Sequence, residues 1–267
     1  MQTMRCCRVL PTILAAGLLL LLDGCVTAPE TGRSQLILLS SDKEMAMGFE
    51  SFTQLKKETP VSKNAQAAAL VQSVGRRLAA VAELPGAQWE FVLFESKEAN
   101  AFCLPGGKVG VYTGLLPVTK DAAGLAAVLG HEIAHAVLRH GNERMSRALA
   151  WQLGGSLLST GLSMSAADPR AAVAVQQAYG FGSQVGSELP HSRTQESEAD
   201  HVGLRFMARA GYDPEAALAF WQRFASYNSA QGGNGTPGFL RTHPTDETRI
   251  RQIQAWLPEA KAQFRAQ

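Results

Sequence analysis

The order of apolar and polar residues along the chain predicts helices first and then a short group of strands. Residues 42–58 and 64–83 read as helices, and a proline follows each of them. Residues 89–94 form a short apolar and aromatic run, which predicts a strand. Residues 101–113 contain two apolar runs around Pro105-Gly106-Gly107. Because Pro followed by Gly suits a type II turn, we expect a β-hairpin there.

The second half of the chain reads as packed helices. Residues 122–140 are almost entirely apolar, and a helix that is apolar on all sides lies buried. Gly141 is expected to end that helix. Ser192 and Gln195 fit a capping box that starts a helix ending at residue 210. Further helices are expected after Pro214 and from Pro244 to Trp256. The predicted fold class is α+β, mostly helical, with a small β-sheet or hairpin beside the buried helix.

The first 25 residues have the layout of a secretory signal. Arg5 and Arg8 form a short positive region, and the apolar run at 9–22 is short for a membrane span. The sequence Leu22-Asp23-Gly24-Cys25 resembles a bacterial lipobox, which implies cleavage before Cys25 and attachment of lipid to that cysteine. An ordinary signal peptide that is cut nearby is the alternative.

These features predict three parts of the chain and a location. Residues 1–24 are the predicted lipoprotein signal peptide, 25–40 a linker after lipidated Cys25, and 41–267 the folded domain. Val26 follows the cysteine, which in this class of lipoprotein suggests sorting to the outer membrane. We therefore expect a lipid-anchored protein on the periplasmic face of a bacterial outer membrane, with the membrane as a partner.

Composition and charge exclude two classes of protein. The formal net charge is only +2, and Lys and Arg form no cluster, so nucleic acid is not an expected partner. Cys103 is the only cysteine after Cys25, which rules out a disulfide framework within the domain. Cys103 itself is expected to be a buried apolar residue rather than a nucleophile.

The sequence His131-Glu132-Ile133-Ala134-His135 carries the clearest chemistry. Residues four apart share one face of a helix, so both imidazoles point to one spot and can hold a zinc ion. Glu132 lies beside them, where it can act as general base for the attacking water. A solvated helix face is a poor alternative, because the neighbouring residues are apolar and buried polar groups need partners.

A third metal ligand is expected from another helix, because a catalytic zinc ion usually has three protein ligands. Glu196 and Asp200 are four residues apart and share a helix face. Glu196 is the predicted ligand, and Asp200 is predicted to accept a hydrogen bond from a ligand histidine. Glu198 is expected at the surface, and His140 is expected to be structural or to stabilise the end of its helix.

Five stretches of this sequence resemble the zinc metallopeptidase family of the CAAX prenyl proteases, namely VLGHEIAHAVLRHG, SRTQESEADHVG, AFCLPGGKVGVYTGLL, AGYDPEAALAFW and THPTDETRI. The resemblance covers about residues 30 to 256. It is strongest to lipid-anchored or periplasmic bacterial members and to the mitochondrial inner-membrane stress protease. It implies a zincin-like metallopeptidase domain over 41–267 with one Zn²⁺ per chain, the ligands His131, His135 and Glu196, and the general base Glu132.

Other residues are candidates for contact with substrate. The hairpin is expected to offer an edge strand to an extended peptide, with these residues lining it: Gly107, Val109, Gly110 and Val111. Gly110 would allow close backbone approach or would serve packing alone. Arg193 and His243 are both candidate donors to the oxyanion. The glycine-rich residues 231–235 are expected to form a flexible hinge before His243. The resemblance adds that His243 can approach the metal as a fourth ligand and keep the enzyme latent; a helix cap is the alternative.

The predicted function is that of a zinc-dependent endopeptidase. Its expected substrates are polypeptides, in particular misfolded or damaged cell-envelope proteins. The alternative is a zinc-containing periplasmic chaperone or assembly factor with little proteolytic activity. An intact Glu132 favours the enzyme, because a scaffold has no need of a general base.

Overall fold

Five strands and eight helices make up the part of the chain that this computed structural model describes, which is residues 25–159, 192–230, 239, 243 and 247–265. The strands are β1 (Cys25–Thr27), β2 (Ser34–Leu36), β3 (Glu90–Phe94), β4 (Ala101–Leu104) and β5 (Lys108–Tyr112). The helices are α1 (Ser41–Glu58), α2 (Ala65–Ala79), α3 (Leu116–Thr119), α4 (Ala122–Val137), α5 (His140–Ser159), α6 (Arg193–Arg209), α7 (Glu215–Ala230) and α8 (Glu247–Ala262). The predicted α+β, mostly helical fold class is confirmed, and no helix in these ranges is long and apolar enough to cross a membrane.

Strands β3, β5 and β4 form one sheet in that order, and β5 lies in the middle. It pairs in parallel with β3 and antiparallel with β4. Gly106 and Gly107 turn the predicted hairpin with positive φ angles of 82° and 80°, which glycine adopts without strain. The prediction that Gly107, Val109, Gly110 and Val111 offer an edge strand is wrong. The last three lie in β5, whose backbone is paired on both sides, and the oxygen of Gly107 accepts a hydrogen bond from the backbone of Glu90.

Packing accounts for Gly110. A Cβ atom at this position would lie 2.1 Å from Cζ of Phe102, so the glycine makes room for an aromatic ring. The outer strands of the sheet are β3 and β4, and β4 contacts α4.

Helix α4 is the centre of the fold and carries the HExxH sequence. All but its first two residues are buried, and it crosses α6 at Gly130 and Gly203. A Cβ atom at Gly203 would lie 2.9 Å from the backbone nitrogen of His131. Two glycines at the crossing therefore let the two helix backbones approach closely, and this brings the functional side chains of α4 and α6 together.

The end of α4 differs from the prediction. The helix stops at Val137, and Gly141 lies inside α5 rather than ending α4. The break is at Arg139, which has a positive φ of 55°. Its guanidinium donates hydrogen bonds to the backbone oxygen of Leu39 at 3.0 Å and to Oε2 of Glu44 at 2.6 Å. These contacts offset the cost of a left-handed backbone at a residue with a side chain.

The predicted start and end of α6 lie close to the observed ones. The capping box of Ser192 and Gln195 is present, and Gly211 follows α6 with a positive φ of 78°. Helix α8 continues past Trp256 to Ala262 and includes Pro258, so the predicted end of the last helix is wrong.

Residues 25–40, which the sequence analysis reads as a linker, are packed against the domain. Strands β1 and β2 pair antiparallel and form what we call the N-terminal hairpin, residues 25–36. Ala28 within it is 1% exposed. The turn residue Arg33 donates hydrogen bonds to Glu143 at 2.7 Å. Apolar burial and ion pairing therefore order a segment whose Pro and Gly content suggests a loop. The predicted signal peptide, 1–24, lies outside the described residues.

Candidate metal centre

Four buried side chains from three parts of the chain converge on one point. His131 and His135 project from the same face of α4, and their Nε2 atoms are 3.0 Å apart. Glu196 from α6 and His243 complete the group, with His243 Nδ1 lying 3.1 Å from His131 Nε2 and 2.9 Å from Glu196 Oε1. Their ligand atoms all lie within 4.8 Å of one another. The structure thus brings together the three predicted ligands and the predicted fourth residue.

The donor set and its spacing fit a zinc ion. Tetrahedral zinc with Zn–N bonds of about 2.05 Å separates two ligand nitrogens by about 3.3 Å, close to the observed 3.0 and 3.1 Å. Nitrogen and carboxylate donors are those that zinc prefers. The Nε2 atoms of His131 and His135 are close enough for one ion to bind to both. The cofactor of this site is one zinc ion.

The charge states of the ligands suit metal binding. Burial, followed by the nearby charge of Arg249, lowers the pKa of His131 to about 4. Burial also holds the pKa of His135 well below its usual range. Burial opposes ionisation of Glu196, but the charges of His243 and Arg249 outweigh it and hold the pKa of that carboxyl well below its usual range. Two neutral imidazoles and a carboxylate are the forms that bind a metal.

Glu132 lies next to the cluster and is 5% exposed. Its Oε1 atom is 3.4 Å from Nε2 of His243. Burial is the main cause that raises the pKa of Glu132 to about 7. A carboxyl group with a pKa near neutrality can both accept and return a proton, which suits the predicted general base.

Asp200 contacts His131. The sequence predicts that Asp200 accepts a hydrogen bond from one of the ligand histidines without indicating which one. Its Oδ1 atom lies 2.9 Å from Nδ1 of His131. A hydrogen bond at Nδ1 leaves Nε2 free to bind metal and fixes the orientation of the ring.

Arg249 is the main site residue that the sequence analysis misses. It is 4% exposed and donates hydrogen bonds to both carboxylate oxygens of Asp200 at 2.5 and 2.8 Å. Its Nη1 lies 2.8 Å from Oε2 of Glu196, and its guanidinium stacks over Trp221 at 3.8 Å. A signal was present in the sequence, because Arg249 shares a helix face with the apolar residues Ile253 and Leu257.

Three further predictions about side chains near the site need correction. Arg193, a candidate oxyanion donor, is exposed on the first turn of α6 and makes no hydrogen bond or ion pair with the cluster in the described part of the chain. Glu198 is not a surface residue, since its side chain is only 11% exposed and contacts His140. His140 begins α5 instead of ending α4, and its Nδ1 lies 2.8 Å from Nδ1 of His135; of its two predicted roles, only the structural one agrees with this position.

A helix with two histidines that crosses a second helix with a glutamate ligand defines the architecture of an HExxH metallopeptidase. A family model described as peptidase family M48 matches residues 65–257, and the chain belongs to this family. This match confirms, at the level of the family, the resemblance that the sequence motifs indicate.

Individual relatives extend the similarity over most of the chain. The mitochondrial metalloendopeptidase OMA1 of Schizosaccharomyces pombe is 40% identical over 192 residues, which are 72% of this chain and 53% of the relative. The protein of the same name from Saccharomyces cerevisiae is 32% identical over 87% of this chain and 69% of the relative. The beta-barrel assembly-enhancing protease of Escherichia coli is 30% identical over 85% of this chain and 46% of the relative. The chain therefore spans about half the length of two of these three relatives.

The names of these relatives contradict the predicted location. Relatives from fungi, animals and a plant are named mitochondrial metalloendopeptidases, whereas the sequence analysis places this chain at a bacterial outer membrane. The prediction from the residue after Cys25 is overturned by this finding. That prediction rests on a single residue, Val26, whereas the similarity to these relatives extends over most of the chain.

Proposed function

We propose that the protein is a zinc-dependent endopeptidase that hydrolyses peptide bonds in polypeptide substrates. One observation carries this proposal: Glu132 lies buried beside a cluster in which His131, His135 and Glu196 converge. Membership of peptidase family M48 and the metalloendopeptidase names of the relatives support it.

Each side chain of the site has a separate role in hydrolysis. His131, His135 and Glu196 would hold the zinc ion. When bound, zinc lowers the pKa of water towards neutrality and polarises a carbonyl group. Glu132 takes the proton of the attacking water and delivers it to the leaving amine. Asp200 holds the ring of His131 in the orientation that presents Nε2.

The substrate backbone is proposed to bind along β4. This strand pairs on one side only within the described residues and contacts α4, the helix that carries Glu132. A peptide that adds to a strand edge is recognised through backbone hydrogen bonds, which depend little on its sequence. Misfolded or damaged proteins expose such extended segments, and we propose them as the substrate class.

Cleavage of an unfolded model protein tests the function directly. Casein incubated with the purified chain should be cut at internal bonds, and a chelator should stop the reaction. Mass spectrometry of the fragments distinguishes internal cuts from removal of terminal residues. Absence of fragments, together with suppressed aggregation of a heated client protein, would favour the chaperone alternative.

His243 is proposed to regulate the site as a fourth ligand, and this gives a prediction about turnover. Its Nδ1 lies 3.1 Å from Nε2 of His131, the atom that would bind zinc, and its ring stacks on Phe239 with centroids 4.4 Å apart. His243→Ala should therefore change kcat, upward if the imidazole displaces water and downward if it stabilises the oxyanion. Phe239→Leu serves as a control for loss of packing. Unaltered kinetics with lowered stability would show that His243 is a helix cap; residues 231–235, the predicted hinge, lie outside the described residues.

Cys25 is proposed to carry a lipid that anchors the chain to a membrane. The residue is exposed at the start of β1, so a group attached to it does not disturb the core. The wild-type protein should enter the detergent phase when extracted, and Cys25→Ala should stay in the aqueous phase. A mature N-terminus other than Cys25, read by mass spectrometry, would contradict the proposal.

A further inference from the structure

A chain of buried and part-buried polar contacts runs from the predicted metal ligand His135 to the N-terminal hairpin. Nδ1 of His135 lies 2.8 Å from Nδ1 of His140. Nε2 of His140 lies 3.1 Å from Oε2 of Glu198. Nε of Arg33 donates to the two carboxylate oxygens of Glu198 at 2.8 and 2.9 Å. We call these three outer residues, His140, Glu198 and Arg33, the relay.

The first contact of the relay depends on the break between α4 and α5. Five residues along a continuous α-helix turn through about 500°, which leaves their side chains about 140° apart around the axis. His140 would then face away from His135. The left-handed backbone of Arg139 redirects the chain, so that the first residue of α5 returns its ring to the last part of α4. An uncommon backbone conformation is maintained at the one position that allows this contact.

The direction of the hydrogen bonds follows from the proposed metal site. If Nε2 of His135 binds zinc, its proton is on Nδ1, which then donates to Nδ1 of His140. The remaining proton of His140 is on Nε2 and is donated to the carboxylate of Glu198. Each ring nitrogen therefore has one role, and neither histidine needs a second proton. Burial alone would raise the pKa of Glu198, but hydrogen bonds from His140 and Arg33 lower it to about 2.

The outer end of the relay is fixed by a second carboxylate. Arg33 donates from Nη1 and Nη2 to the two oxygens of Glu143, both at 2.7 Å, and the side chain of Glu143 is fully buried. Gln195 of α6 donates to the same carboxylate at 2.8 Å. A single guanidinium thus joins α5 and α6, and its planar fork has the geometry that carboxylates match best.

We propose that His140, Glu198 and Arg33 act as positioning residues that orient His135 and raise its affinity for zinc, which makes the N-terminal hairpin a functional part of the metal centre. The inference rests on the proposed zinc site. The carboxylate of Asp200 contacts Nδ1 of His131 directly, whereas the carboxylate of Glu198 is joined to Nδ1 of His135 through the imidazole of His140. A side chain that orients a metal ligand through a hydrogen bond typically raises metal affinity by roughly 10- to 100-fold.

Substitution of His140 separates positioning from packing. His140→Leu removes both contacts of the ring, and its dissociation constant for zinc should rise by roughly 10- to 100-fold. His140→Gln can accept from His135 through its amide oxygen and donate to Glu198 through its amide nitrogen, so it should recover most of the affinity. The dissociation constants are measured by competition with a chromogenic chelator. Equal affinities for the wild type and both variants would overturn the proposal.

Substitution of the hairpin residues tests the outer end of the relay. Arg33→Met should weaken zinc binding in the same direction as His140→Leu, because Glu198 and Glu143 lose their shared partner. Glu30→Gln is the matched control: Glu30 also attaches the hairpin to α6, through Arg205 at 2.7 Å, but lies outside the relay. Zinc affinity that falls equally in both variants would mean that the hairpin acts only by docking, and would overturn the proposal.

The stability of the zinc-free protein completes the test. Unfolding of each variant in urea shows whether it folds. If His140→Leu does not fold, the zinc dissociation constants of Arg33→Met and of the isosteric Glu198→Gln are compared with that of the wild type. A wild-type chain that binds no zinc would contradict the proposed function itself. A wild-type chain that binds zinc, with variants that bind it equally well, would contradict the relay alone.

Discussion

Glu132→Gln is expected to lower the rate of peptide-bond hydrolysis by roughly 100- to 10,000-fold, the usual contribution of a general base. The amide keeps the size of the carboxyl group but cannot accept a proton from water. Zinc should remain bound, because His131, His135 and Glu196 are unchanged. The measurement is kcat/KM on a fluorogenic peptide, with the zinc content of the same sample determined by mass spectrometry.

A matched glutamate shows whether the effect belongs to the site. Glu83→Gln makes the same chemical change at an exposed position and should leave kcat/KM unaltered. If Glu132→Gln kept the activity of the wild type with its zinc in place, Glu132 would not be the general base.

Arg249→Met is expected to lower the free energy of unfolding of the zinc-free protein by about 3–5 kcal/mol, the usual cost of breaking a buried ion pair on one side. The substitution leaves the carboxylates of Asp200 and Glu196 buried without the guanidinium that contacts both. Methionine retains most of the length and packing of the side chain, so the loss reports mainly on charge. Urea unfolding followed by circular dichroism measures it.

Arg251→Met is the control for this prediction. Arg251 lies two residues further along α8, and its side chain is 69% exposed, so its replacement should change stability by less than about 1 kcal/mol. Equal effects of the two substitutions would show that Arg249 contributes no more than a surface charge.

The parts of the site that the sequence predicts are those that local geometry decides. His131 and His135 are four residues apart, and a helix places such residues on one face whatever surrounds it. The pair Glu196 and Asp200 follows from the same spacing. The turn at Gly106-Gly107 likewise depends on adjacent residues, and the hairpin around it is observed.

The parts that the sequence analysis misses depend on contacts between distant segments. The order of strands places β5 in the middle because β3, which precedes the hairpin, pairs with it in parallel, and no local pattern shows this. The contact between His140 and His135 needs a left-handed residue at Arg139, which nothing in its side chain indicates. Arg33 is ordered by Glu143 and Glu198, which lie 110 and 165 positions away in the chain.

The burial of Arg249 could not be predicted from the sequence for a different reason. A basic residue in a predicted amphipathic helix is usually solvated, and only its partners on α6 show why this one is buried. The apolar spacing around it was visible, but the sequence alone does not say which carboxylates would balance its charge. Buried charges of this kind require partners, and those partners here are a predicted metal ligand and its neighbour.

Titration of zinc into metal-stripped protein tests the central claim most directly. Cleavage of an internal bond in a fluorogenic peptide should be absent without metal. It should rise in proportion to added zinc and reach its maximum at one zinc ion per chain, since His131, His135 and Glu196 form one cluster. Cleavage that persists in the stripped protein, or a fully zinc-loaded chain that cuts no peptide or unfolded protein, would contradict the assignment of this chain as a zinc endopeptidase.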